Sequence, residues 1–271
     1  MSPARAIVAA LACGAVLAGC GAKEEPQQPT PAPPAAAATA DPEGPAHATM
    51  IMVHAGGWAG HDARAQQILM RSPGALLRHR GWRVVSIDYE EGTAGLDDVL
   101  HTVASEIARK TSNGPLCLYG ESSGAHLALV AAARRGKEID CVIGLGTPAD
   151  LKLFEATAKA RDQRIVAAQM LKFFGTTPAE LAPWDPVTLA PQIDADVLLM
   201  REGDDELVPA IQSEHFAAAH PSTKVVTLDA GDPAVRSNHF VHGTLSAQGR
   251  EEYNAAIASF AARARARHRE G

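Results

Sequence analysis

From Ala48 onward, short all-apolar runs alternate with longer stretches of mixed polarity. The runs Thr49–His54, Trp82–Asp88, Leu116–Tyr119, Cys141–Leu145, Asp196–Met200 and Lys224–Asp229 predict strands. Between and after them, helical spacing predicts helices over Arg64–Arg80, Leu96–Thr111, Ser123–Arg135, the stretch 151–174, Ala210–His220 and 247–268. Strands that are apolar throughout, without polar alternation, belong to a parallel sheet buried on both faces. The expected class is therefore α/β, with a mostly parallel sheet of about six strands covered by helices on both faces. No antiparallel strand is expected before Thr49, because a Pro- and Ala-rich stretch leads straight into it.

That leading stretch divides in two. Arg5 followed by the almost wholly apolar Ala6–Ala18 has the layout of an export signal, too short to span a bilayer comfortably. It ends in Leu17–Ala18–Gly19–Cys20, which resembles the bacterial lipobox. The resemblance implies cleavage before Cys20 and a diacylglycerol anchor on it, with further acylation making the membrane attachment stable. The expected location is the bacterial cell envelope, and Gly21, where Asp would hold a lipoprotein at the inner membrane, favours the outer membrane of a Gram-negative cell. Residues 20–47 read as the lipidated cysteine and a disordered tether, 1–19 as the signal peptide and 48–271 as one folded domain.

Composition narrows the partners. The 271-residue chain carries a net charge of −6 and no basic stripe, so nucleic acid is not an expected partner. There is no metal-ligand spacing such as H-E-x-x-H and no internal repeat, so neither a metal nor a cofactor is expected. Of the four cysteines, Cys13 lies in the signal and Cys20 at the lipid site. Cys117 and Cys141 stand at matching heights on two consecutive strands, where an exported domain can bridge them. The alternative is a pair of buried free thiols.

The chemistry centres on Gly120–Glu121–Ser122–Ser123–Gly124, a G-x-S-x-G lying between a strand and a helix. On such a turn the serine is lifted clear of the sheet and the helix amides aim at the same spot. A serine needs a base, and the base needs an orienting acid. Both should follow on loops after later strands, in the order Ser, Asp, His. Asp204 and Asp205 follow one strand, and His239 and His242 follow the next.

With these residues in view, the segment from about 48 to 265 resembles an α/β-hydrolase of the esterase and lipase kind. His54–Ala55–Gly56–Gly57–Trp58 resembles the H-G-G-G-W motif of one branch, with Ala55 in place of a glycine. The family's D-x-x-V-P pattern implies Asp205 as the acid, and its histidine before an aromatic implies His239 as the base. Gly203 stands one residue nearer the acid than is usual. The oxyanion hole would draw on the amides of Ser123, Gly56 and Gly57. The implied activity is hydrolysis of a small-molecule carboxylic ester through an acyl-enzyme. A prolyl-oligopeptidase-like peptidase and a non-catalytic binding protein on the same scaffold are the alternatives. His126 reads as a packing residue, His54 as a shaper of its loop, and His61, His79, His101, His215 and His220 as surface or helix residues. The stretch 151–183 reads either as a small cap over the acyl pocket or as a plain sheet-covering helix.

Overall fold

The computed structural model describes residues 37–109, 114–158, 161–203, 205–230 and 245–270. The predicted signal peptide, Cys20, Asp204, His239 and His242 therefore lie outside the described residues.

The strands are β1 (Ala37–Ala40), β2 (Ala48–Val53), β3 (Trp82–Ile87), β4 (Leu116–Glu121), β5 (Cys141–Leu145), β6 (Asp196–Glu202) and β7 (Lys224–Leu228). The helices are α1 (Ala63–Arg71), α2 (Pro73–Arg78), α3 (Ala94–Arg109), α4 (Ser123–Arg135), α5 (Leu151–Thr157), α6 (Arg161–Phe174), α7 (Pro178–Leu181), α8 (Pro186–Leu189), α9 (Ile211–Ala219) and α10 (Ala247–Glu270). The sheet runs β1-β3-β2-β4-β5-β6-β7, parallel except for β1. This is the expected doubly covered α/β architecture.

Every residue of β2, β3 and β5 is buried, which is why these strands read as largely apolar, with Arg83 and Ser86 the polar exceptions in β3. Side chains alternate between two cores. Ile51, Val53, Val85, Leu118, Val142 and Leu199 face α3 and α4, whereas Met50, Met52, Val84, Tyr119, Ile143 and Leu198 face α1, α2 and α10.

Two expectations need correction. A seventh strand exists: Ala37–Ala40, placed by sequence inside the tether, pairs antiparallel with β3 from Ala37 against Ile87 to Ala40 against Val84. Its alanines carry little strand propensity, and the pairing comes from the open backbone edge of β3. The Arg83 guanidinium secures the turn that follows, donating to Asp41 at 2.6 Å and to the buried Glu106 of α3 at 2.8 Å. The predicted single helix Arg64–Arg80 is two helices, because Pro73 takes the first position of a new one and keeps Ser72 out of helical geometry.

Cys117 and Cys141 face each other in the β4–β5 register and are joined as a disulfide, with Cα atoms 4.6 Å apart. Both are fully buried. Closing a loop between residues 24 apart stabilises the fold by about 3 kcal/mol in the chain-entropy account. Urea unfolding with and without reductant is expected to show that difference, and equal midpoints would mean that the bridge contributes nothing.

Candidate active site

The nucleophile candidate sits where β4 ends. Ser122 has φ 50° and ψ −121°, one of two non-glycine residues with positive φ among those described. Strain of this kind persists only where the surroundings over-determine it. Here the Ser122 amide donates to the Leu145 carbonyl at 2.8 Å, and α4 starts immediately afterward, buried from Ser123 to Ala133.

The flanking glycines are sterically required. A Cβ on Gly124 would lie 2.2 Å from the Val53 carbonyl oxygen and 2.4 Å from that of His54. One on Gly120 would lie 2.4 Å from the Gly124 carbonyl oxygen. The turn can thus press against the end of β2 only with both side chains missing.

The end of β2 carries the glycine loop. Gly56, Gly57 and Trp58 have φ of 141°, 61° and 62°, while Ala55 needs no positive φ, so its methyl is tolerated. The His54 ring donates through Nδ1 to the Ala55 carbonyl at 2.6 Å and stacks on Tyr89 with centroids 4.4 Å apart. Its expected role in shaping the loop holds.

Sequence reading missed Tyr89. Its hydroxyl donates to the His54 carbonyl at 3.0 Å and accepts from Ser123 Oγ at 3.2 Å, tying the glycine loop to the residue after Ser122. Burial raises the Tyr89 pKa, so the phenol stays protonated and able to donate. Its one sequence signal is its place directly after a predicted strand. His61, exposed as expected, bridges Glu90 at 3.1 Å and Asp88 at 3.2 Å, and the Glu90 contact above all raises its pKa.

His126 is a packing residue, as expected. Trp58 Nε1 donates to its Nδ1 at 3.1 Å, so its Nε2 carries the proton and donates to the Trp184 carbonyl at 2.8 Å. Complete burial lowers its pKa to about 4. The unfolded chain takes up that proton near 6.5, whereas the folded one refuses it until about pH 4. Stability is therefore full above 6.5 and falls as pH drops toward 4, by roughly 3 kcal/mol in total. Thermal unfolding across this window should show an acid limb that is shallower in His126→Gln. Identical limbs would assign the proton uptake elsewhere. His220, read as a surface or helix residue, is buried, with Nε2 3.1 Å from the Ile193 carbonyl.

The acid candidate follows β6. Asp205 is buried, and its Oδ1 accepts from the amides of Leu207 at 2.9 Å and Val208 at 2.8 Å. These bonds lock the carboxylate's orientation. Ser122 follows β4 and Asp205 follows β6, and these strands are two spacings, about 10 Å, apart in the sheet. Ala230 and Leu245 pair as an isolated antiparallel bridge just beyond β7.

Residues 39–219 match the family described as BD-FAE. The chain belongs to that family. Solved structures share its α/β-hydrolase fold. Est1E from Butyrivibrio proteoclasticus, solved with ferulic acid, aligns at TM-score 0.60 and 17% identity, covering 84% of this chain and 94% of that one. The carboxylesterase Cest-2923 from Lactobacillus plantarum WCFS1 aligns at TM-score 0.57 and 16% identity, covering 84% and 90%. A puromycin-hydrolyzing peptidase from Mycobacterium tuberculosis aligns at TM-score 0.64 and 20% identity, covering 83% of this chain and 35% of that one. The chain thus spans about a third of that peptidase's length. A search of curated proteins finds no match.

The BD-FAE chain keeps its site at the carboxyl ends of the strands, where such sheets carry their ligands. Asp185 accepts from the amides of Leu151 at 2.8 Å and Thr188 at 3.1 Å, fixing the start of α5. The stretch 151–183 does cover the sheet, with Leu151, Phe154, Ala167, Met170 and Phe174 all in the core. Phe174 packs edge-on to Trp58 at 5.6 Å and lies 5.1 Å from the His126 ring.

Proposed function

We infer that this member of the BD-FAE family is a serine hydrolase that cleaves small-molecule carboxylic esters through an acyl-enzyme. The observation that carries this reading is Ser122, held in a strained turn beside the glycine loop and two strands from a locked, buried carboxylate. In this reading His239 takes the Ser122 Oγ proton as the oxygen attacks the ester carbonyl. The amides of Ser123, Gly56 and Gly57 receive the charge that develops on the carbonyl oxygen. His239 then returns the proton to the departing alcohol, leaving Ser122 acylated. A water molecule, deprotonated by the same imidazole, releases the acid and restores the serine. Asp205 holds the imidazole tautomer, and its neighbour Asp204 has no part. Strain at Ser122 favours this scheme, since a purely structural turn at that position would be more stable with glycine.

The same reading places the protein in the cell envelope, anchored through a lipid on Cys20. Labelled palmitate should enter the native chain and not Cys20→Ser.

A fluorophosphonate probe with peptide mapping tests the catalytic reading. Labelling at Ser122 together with turnover of p-nitrophenyl esters supports it. Turnover confined to aminoacyl anilides would make the protein a peptidase, and no labelling at all would leave a binding protein on a hydrolase scaffold.

A further inference from the structure

Helix α6 crosses the catalytic end of the sheet. Near its start, the Gln163 side-chain amide donates to the Glu206 carbonyl in the loop after β6. Farther along, the Gln169 carboxamide oxygen lies 3.3 Å from where a Cβ on Gly57 would be, beside the loop after β2. At the far end Phe173 occupies the space next to Gly92, in the loop after β3. From β6 to β3 the sheet order passes β5, β4 and β2. Four strand spacings make about 19 Å, and the fourteen residues of α6 make about 21 Å. The helix is long enough to bridge the whole interval, and Ser122, at the end of β4, lies within that interval.

One face of α6, with Ala167, Met170 and Phe174, is buried in the core. Ile165, Gln169 and Phe173 recur every fourth residue and form a separate row. Packing leaves two members of that row unexplained. Ile165 is 54% exposed, one of two exposed large hydrophobics among the described residues. Gln169 is half-buried against the oxyanion loop, yet makes no hydrogen bond among the described residues. A carboxamide held in that position is available to a ligand.

We propose that Gln169 hydrogen-bonds a free hydroxyl carried by the ester substrate close to its carbonyl, while Ile165 covers the adjoining carbon chain. The inference rests on Ser122 being the nucleophile. A carboxamide both donates and accepts, and so does a hydroxyl. A carboxylate-bearing ester fits worse, because Asp88, Glu90 and Glu91 stand on the loop after β3 and Glu206 on the loop after β6. Lys172, next to Phe173 on α6, lies 4.0 Å from Glu91 and over the Phe173 ring.

The hydroxyl can belong to the acyl chain or to the alcohol, and two matched pairs separate these sources. One pair is p-nitrophenyl 3-hydroxybutyrate against p-nitrophenyl butyrate, and the other is glyceryl monobutyrate against propyl butyrate. In at least one pair the native protein should prefer the hydroxylated ester. Gln169→Leu should lower the ratio of kcat/KM, hydroxylated over plain, by about tenfold or more, since a polar site discriminates through the partner it loses. A role confined to packing would lower both members of a pair together and leave the ratio alone. Gln169→Met, of similar length and without the amide, should give the same fall in ratio and guards against misfolding of the leucine variant. Unchanged ratios in both pairs overturn the subsite while the catalytic reading stands. Absence of hydrolysis of all four esters by the native protein overturns both.

Discussion

Replacing Ser122 with alanine is expected to lower kcat on p-nitrophenyl butyrate by at least about a thousandfold and to abolish labelling by fluorophosphonates. The fold should survive, because the turn is held by the bond from the Ser122 amide to the Leu145 carbonyl and by the close approach of Gly120 and Gly124, none of which needs the hydroxyl. The expected signature is thus inactive protein with an unchanged far-UV spectrum and an undiminished unfolding midpoint. Hydrolysis at the native rate by Ser122→Ala would remove the nucleophile assignment, and an unfolded variant would mean that the hydroxyl supports the turn.

The second large effect is expected at Asp205, the proposed acid. Asp205→Asn should reduce kcat by about ten-thousandfold, because an amide donates where the base requires an acceptor and so favours the wrong imidazole tautomer. The bonds from Leu207 and Val208 can still be accepted by the asparagine oxygen, so the loop after β6 should keep its shape. Asp204→Asn should change kcat by less than about tenfold, since only a carboxylate in contact with the imidazole can hold its tautomer. His239→Ala should likewise be worse than His242→Ala. Steady-state kinetics on the four variants decide both rankings, and a reversal in either pair moves the role to the neighbouring residue.

Both effects concern residues that local sequence exposed, and the reason is local as well. Gly120 and Gly124 are dictated by contacts of the turn with its own helix and with the adjacent strand, so the G-x-S-x-G spacing reports a steric demand. The largely apolar runs of β2, β3 and β5 report burial on two faces, which a covered parallel sheet supplies. The pairing of Cys117 with Cys141 was expected because strands joined by one helix are usually neighbours and both cysteines stand equally far from their strand ends, and the register bears this out.

Other features are invisible in any window of sequence. The strand β1 forms from Ala37–Ala40 because β3 offers a free backbone edge, and alanine side chains carry no record of that partner. Tyr89, Trp58 and His126 come together from separate elements, and it is their hydrogen bonds that join the glycine loop to α4. Gln169 meets Gly57 only because α6 crosses the strand ends, a path set by the burial of Ala167, Met170 and Phe174. The chain by itself determined the six parallel strands and the turn at Ser122, since each follows from short-range sterics and burial period. Which distant side chains stand beside that turn was decided by packing between elements, because such contacts depend on the relative placement of whole helices and strands and leave no periodic trace along the chain.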